Sequence, residues 1–175
     1  MTSMSIDTLY NPDGKQLGSI VAGLSGSGKT TMILSTLQKA IKSPSMGEFH
    51  RFVIIDPKRQ TGDYDILAEP VNDINKMFKS MRKKRVSVFW PDLESFEYDV
   101  EHIVEYMFAL SDSDERISFT FVLDEASILI TPSRIPLSLK KLSLQGRAKR
   151  IKPVFISQRP IINRWTDANL SNMYL

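Results

Sequence analysis

The stretch "LGSIVAGLSGSGKTTMILSTLQKAI", Leu17 to Ile41, sets a short apolar run, a glycine-rich loop and a helix-like segment in direct succession. Its centre, Gly23 to Thr30, satisfies G-x-x-x-x-G-K-[ST] in the context that pattern requires, with a strand before it and a helix after it. Glycines let such a loop take positive φ and curl its N–H groups around a phosphate. The start of the following helix adds further donors for anionic oxygens. Lys29 is expected to reach the β- and γ-phosphates, and the Thr30 hydroxyl to bind Mg²⁺. Gly23, Ser25, Gly26, Ser27, Gly28, Lys29, Thr30 and Thr31 are therefore the candidate nucleotide-binding residues, with ATP and Mg²⁺ as the expected cofactors. A glycine-rich turn with an incidental lysine is the plainer reading, and it leaves the flanking elements unexplained.

The rest of the composition narrows the class. At 175 residues, 42% hydrophobic and 25% charged, the chain can bury a sizeable core. We read it as one domain over 1–175, with 1–16 as an N-terminal extension. It has no cysteine, which excludes a disulfide framework, a thiolate metal site and a thiol nucleophile. His50 and His102 are its two histidines and lie far apart in sequence, so a histidine metal site is not expected. The longest apolar runs, "ISFTFVL" and "SILI", are too short to span a bilayer, and the N-terminus lacks the pattern of a secretory signal. A net charge of +3 permits a nucleic-acid partner without arguing for one.

Apolar runs alternate with helical periodicity, the signature of an α/β fold with a mainly parallel sheet flanked by helices. The strands are expected at Leu17–Ala22, Arg51–Asp56, Val86–Trp90, Phe119–Asp124 and Pro153–Ser157. Helices are expected at Lys29–Ile41, Val71–Lys83, Val100–Leu110, Ser138–Lys149 and Arg164–Ala168. In "FEYDVEHIVEYMF", Val100, Ile103, Val104, Met107 and Phe108 fall at helical spacing and read as a core-facing stripe. Trp90, at the end of a strand, reads as core.

"FTFVLDEAS" carries the second chemical signal: a buried strand delivers Asp124 and Glu125 to its carboxyl end, where ligands sit in open α/β sheets. Asp124 is expected in the Mg²⁺ shell, and Glu125 as the base that orients and deprotonates an attacking water. That base favours a hydrolase over a small-molecule kinase, and no guanine-reading Asn-Lys-x-Asp is present. "VFISQRP" ends a strand in Gln158, an amide placed to touch the γ-phosphate or the water; a solvent-facing glutamine is the plainer alternative.

Together these residues resemble the FtsK–HerA superfamily of DNA-pumping ATPases. The more specific matches are "FVIIDPKRQ", with Asp56-Pro57-Lys58 at a strand end, and "GRAKRIKPVFISQRP", Gly146 to Pro160, with "ANLSNMYL" similar to the family's final segment. The small size is most similar to the genome-packaging ATPases of viruses with internal membranes. The resemblance implies a RecA-like, additional-strand catalytic-glutamate fold, with the Gln158 strand between the phosphate-loop strand and the Asp124 strand. It also implies a homo-oligomeric ring, hexamer or pentamer, that translocates double-stranded DNA into a capsid. Capsid or membrane proteins of the packaging vertex would be its partners, in the host cytoplasm and at the virion vertex. Arg147 would enter the neighbouring subunit's site as an arginine finger, with Arg150 the runner-up; either reads more plainly as a helix C-terminal cation. Two departures are Arg150, where the family often has glycine, and Lys152-Pro153 in place of an apolar strand start.

Candidate DNA contacts are "RKKR", Arg82 to Arg85, and the scatter Lys140, Lys141, Arg147, Lys149, Arg150 and Lys152. Lys58 and Arg59 could face nucleotide, neighbour or DNA, and Arg159 could be a second cationic sensor. The rival readings are a cellular or mobile-element HerA-like pump, a nucleotide or small-molecule kinase, and an ATP-dependent assembly factor.

Overall fold

The computed structural model describes Leu9, residues 18–131 and residues 133–158. Five strands form one parallel sheet: β1 (Ser19–Ala22), β2 (His50–Ile55), β3 (Val86–Phe89), β4 (Ser118–Leu123) and β5 (Ile151–Ser157). Their order is β1-β5-β4-β2-β3. The Gln158 strand thus lies between the phosphate-loop strand and the Asp124 strand, as the resemblance implied. All five expected strands are present, with ends shifted by a residue or two. The expected helix Arg164–Ala168, the "ANLSNMYL" segment and Arg159 lie outside the described residues.

Period-2 alternation divides the sheet between two apolar layers. Val53, Ile55, Phe119, Phe121 and Leu123 face the layer that holds α2 (Ile74–Lys83), α3 (Phe96–Ser113) and α4 (Leu137–Gln145). Phe52, Ile54, Val122, Val154 and Ile156 face the layer formed with α1 (Lys29–Lys42) and Leu9. Every residue of the expected α3 stripe is buried. The helix runs longer than the stripe suggests, because Glu97 and Asp99 favour its first turn.

Two sequence expectations change at the start of β5. The expected helix over Ser138–Lys149 ends at Gln145 and gives way to a short 3₁₀ turn at Arg147–Lys149. Gly146 keeps helical angles but permits the tight return of the chain: an added Cβ would lie 2.4 Å from the Leu142 carbonyl oxygen and 2.7 Å from that of Ile151. The chain then reverses at Arg150 with φ 57°, a left-handed conformation that favours glycine. This accounts for the glycine typical of the resembling family. Here the Arg150 guanidinium donates to the carbonyls of Ile117 (3.1 Å) and Ser111 (2.5 Å), tying the turn to the end of α3.

Pro153 sits inside a strand that has neighbours on both sides, where proline is rare. It is tolerated because β5 pairs with β1 only from Val154 onward. Lys152 is buried rather than displayed.

Candidate active site

The carboxyl ends of β1, β2 and β5 converge on a cavity of about 350 Å³. One wall is the phosphate-loop segment: Ser25, Gly26, Gly28, Lys29, Thr30 and Thr31. The other is formed by Lys58, Gln60, Asp63 and Gln158. Gly26 and Gly28 take φ of 77° and 81°, so the loop depends on them to curl. Gly23 allows close approach, since a Cβ there would lie 3.0 Å from Ser27 Oγ. α1 starts at Gly28 with no side-chain cap and no acidic residue in its first turn. By contrast, Asp73 caps α2 by accepting from the Lys76 N–H. The first N–H groups of α1 are therefore left for an external acceptor. Lys29 folds back over the loop, and its ammonium donates to the carbonyls of Gly23 (2.5 Å) and Leu24 (2.7 Å).

Asp124, fully buried at the end of β4, accepts from the Glu125 N–H (2.7 Å) and pairs with Lys58. The Lys58 ammonium lies 3.2 and 3.3 Å from the two Asp124 oxygens and 3.6 Å from Glu125 Oε2. Glu125 has φ 50°, a left-handed conformation that turns its side chain sharply away from the strand. Both its oxygens accept hydrogen bonds: Oε1 from Ser127 Oγ (2.7 Å) and Oε2 from Gln158 Nε2 (2.6 Å). Gln158 thus faces the site rather than bulk solvent, with Glu125 as its partner.

The D-P-K turn explains how Lys58 arrives there. Asp56 ends β2 and accepts the Lys58 backbone N–H (3.1 Å), a two-residue side-chain turn with proline between. The other Asp56 oxygen accepts from Trp90 Nε1 (3.1 Å). Trp90 is half-buried and holds this carboxylate, so it is more than core filler. Burial, with Asp124's charge beside it, pushes the Asp56 carboxyl up to about 6, against the pull of its two donors. Burial, followed by the same Asp124 charge, also raises Asp63. The Tyr64 hydroxyl is buried here without a well-formed hydrogen bond. Burial first, then the Asp124 charge, pushes its phenol well above the usual range. Asp56, Gln60, Asp63, Tyr64, Trp90 and Ser127 were absent from the sequence-derived site. Only the D-P-K signature signalled any of them.

Arg59 turns away, donating to the Pro91 carbonyl and pairing with Asp92. Both Arg147 and Arg150 are exposed; among the described residues the Arg147 side chain makes no hydrogen bond or ion pair, whereas the Arg150 guanidinium is tied to the Ile117 and Ser111 carbonyls. The two candidate arginines thus differ in their side-chain contacts. The basic scatter shrinks for the same reason: Lys152 is buried, Lys149 pairs with Asp112, and Lys141 lies over the Phe108 ring. In "RKKR", residues 82–84 are exposed while Arg85 is half-buried, its Nε and Nη2 without partners.

Thr30 and Asp124 provide a hydroxyl and a carboxylate, hard oxygen donors of the kind Mg²⁺ prefers. Among the described residues no group of three or more acidic or histidine side chains is placed to hold a metal, so these two donors would depend on a bound nucleotide for the remaining ligands. No described helix is long and apolar enough to cross a membrane.

No protein-family model matches the chain, and no curated protein matches it. Solved structures of the genome packaging NTPase B204 from Sulfolobus turreted icosahedral virus 2 do. The AMP complex matches with a TM-score of 0.60 and 14% identity, over 83% of this chain and 67% of that one. The ATP-gammaS complex gives 0.58 and 15%, over 83% and 66%, and the AMPPCP complex 0.56 and 13%, over 82% and 65%. The chain therefore spans about two thirds of that protein's length, and at these identities the likeness is one of fold. The fold, a parallel α/β sheet flanked by helices, is similar to that of this viral genome packaging NTPase.

Proposed function

We propose that this chain is an Mg²⁺-dependent ATPase that works as a ring-shaped motor on double-stranded DNA, packaging a viral genome into a preformed capsid. The observation that carries the ATPase reading is one cavity lined on one side by an uncapped glycine loop with Lys29 and Thr30 and on the other by Lys58 and Gln158, whose side chains hold Asp124 and Glu125 directly behind it. The packaging reading is supported by the fold shared with a genome packaging NTPase.

In this reading the phosphate-loop N–H groups bind the β-phosphate, and Lys29 leaves its loop carbonyls for the γ-phosphate. Thr30 and Asp124 would hold Mg²⁺, which would supply charge neutralisation on the phosphates. Glu125 orients the attacking water and takes its proton once Gln158 and Lys58 release its carboxylate. Gln158, poised between Glu125 and the cavity, positions the water or senses the γ-phosphate. Arg147, exposed and with its side chain unpaired among the described residues, enters a neighbouring subunit's site. Such a finger contributes roughly 10³–10⁵ in rate and makes hydrolysis depend on assembly.

The test is ATP hydrolysis against protein concentration, with and without linear double-stranded DNA, beside Glu125→Gln and Arg147→Ala. The expected rate rises faster than linearly, is stimulated by DNA and is lost in both variants. A rate proportional to protein, indifferent to DNA and unaffected by Arg147→Ala overturns the ring motor. Phosphate transfer to a small acceptor would instead favour a kinase.

A further inference from the structure

Lys58 occupies an unusual place. Asp124 is fully buried, yet Lys58 is the only cation within 4 Å of it or of Glu125 among the described residues. The ammonium contacts both Asp124 oxygens almost equally and also reaches Glu125 Oε2 at 3.6 Å, so one cation serves both carboxylates. The Lys58 side chain is 28% exposed and lines the cavity, so it can leave. A buried carboxylate without a counter-charge is costly, which explains why a lysine stands there.

We propose that Lys58 is an internal stand-in cation for the metal: it neutralises Asp124 and Glu125 in the nucleotide-free protein and competes with Mg²⁺ for Asp124 when nucleotide binds. This rests on the phosphate-loop reading above. Two cations drawn to one carboxylate repel each other, so each weakens the other's hold by the same factor. Lys58 is a positioning residue in this scheme. Its departure frees Asp124 and relieves one of the three contacts that restrain Glu125. The loading of metal is thereby coupled to the release of the base.

The sign of one substitution separates this from an ordinary phosphate-binding lysine. The full chain is titrated calorimetrically with ADP in EDTA and with ADP in excess Mg²⁺, for wild type, Lys58→Gln and Lys58→Arg. The readout is the factor by which Mg²⁺ tightens ADP binding, in which any direct attraction of Lys58 for ADP cancels. That factor is expected to rise about tenfold in Lys58→Gln, within the usual range of coupling between sites. It should stay near the wild-type value in Lys58→Arg, which keeps the competing cation. Thermal unfolding in EDTA should drop for Lys58→Gln, which leaves Asp124 unpaired, and recover with Mg·ADP. A factor unchanged or reduced in Lys58→Gln overturns the proposal while leaving the phosphate site standing. No binding of ADP to the wild type in either buffer overturns the phosphate-site reading and this proposal together.

Discussion

Gly146→Ala sets two rules against each other, and the structure says which wins. Gly146 has helical angles, φ −53° and ψ −41°, where alanine is intrinsically better by about 0.5–1 kcal/mol. The new Cβ would sit 2.4 Å from the Leu142 oxygen and 2.7 Å from the Ile151 oxygen. Both are backbone carbonyls that cannot rotate aside. Each also accepts or flanks a bond that defines the turn: Gly146 N–H donates to Leu142 O, and Ile151 N–H donates to Gly146 O, both at 2.8 Å. Relieving the overlap means shifting the end of α4 or the start of β5, and overpacking of this kind costs about 1–3 kcal/mol or more. The net expectation is destabilisation by about 1 kcal/mol, a fall in Tm of about 3 °C for a domain of this size. Differential scanning calorimetry on the wild type and the variant measures it. Because Arg147 follows directly, DNA-stimulated hydrolysis should fall further than the folded fraction alone explains. An unchanged or raised Tm would refute the steric argument.

Two buried groups should tilt stability with pH in opposite directions. His50, held between Ser118 and Thr120 hydroxyls, is pushed down to about 3, by burial first and by Arg85 and Arg51 next. The unfolded chain therefore binds the extra proton, and this group's stability is present above about 6.5 and lost as pH falls. Asp56 is raised to about 6, so the folded chain binds the extra proton and stability is lost as pH rises through 6. Each effect amounts to about 1–2 kcal/mol between pH 5 and 7. Denaturant unfolding should show His50→Gln tilting the profile toward acid and Asp56→Asn tilting it toward base; parallel profiles in all three proteins would contradict this. At Arg150, glycine relieves the left-handed backbone while alanine does not, and both lose the bonds to Ile117 and Ser111. Arg150→Ala should therefore be the less stable of the two by about 1 kcal/mol, and equal stability would remove the strain argument.

The elements that local patterns govern were legible in the sequence. The glycine loop, the β4 strand ending in Asp124-Glu125 and the α3 stripe each depend on residues close together along the chain. The strand order came with the resemblance, since no local pattern ranks parallel strands. What escaped the sequence lies across strands. Lys58 and Asp124 are 66 residues apart, and their ion pair exists only because β2 and β4 are neighbours in register. Lys152 reads as a surface charge until β5 is seen buried between β1 and β4. Arg147 and Arg150 look interchangeable three residues apart. A left-handed turn at Arg150 brings its guanidinium onto the Ile117 and Ser111 carbonyls, while among the described residues the exposed Arg147 side chain has no such partner.

The central claim is that one subunit's Arg147 completes another subunit's site, and mixing two inactive variants tests it most directly. Lys29→Ala lacks its own phosphate grip but keeps Arg147; Arg147→Ala keeps a whole nucleotide site but offers no finger. The account predicts that each alone is inactive with DNA and that the mixture regains hydrolysis, at interfaces where a Lys29→Ala subunit serves an Arg147→Ala site. A mixture that forms mixed oligomers yet stays as inactive as its components would contradict it. So would an Arg147→Ala protein that hydrolyses ATP unaided.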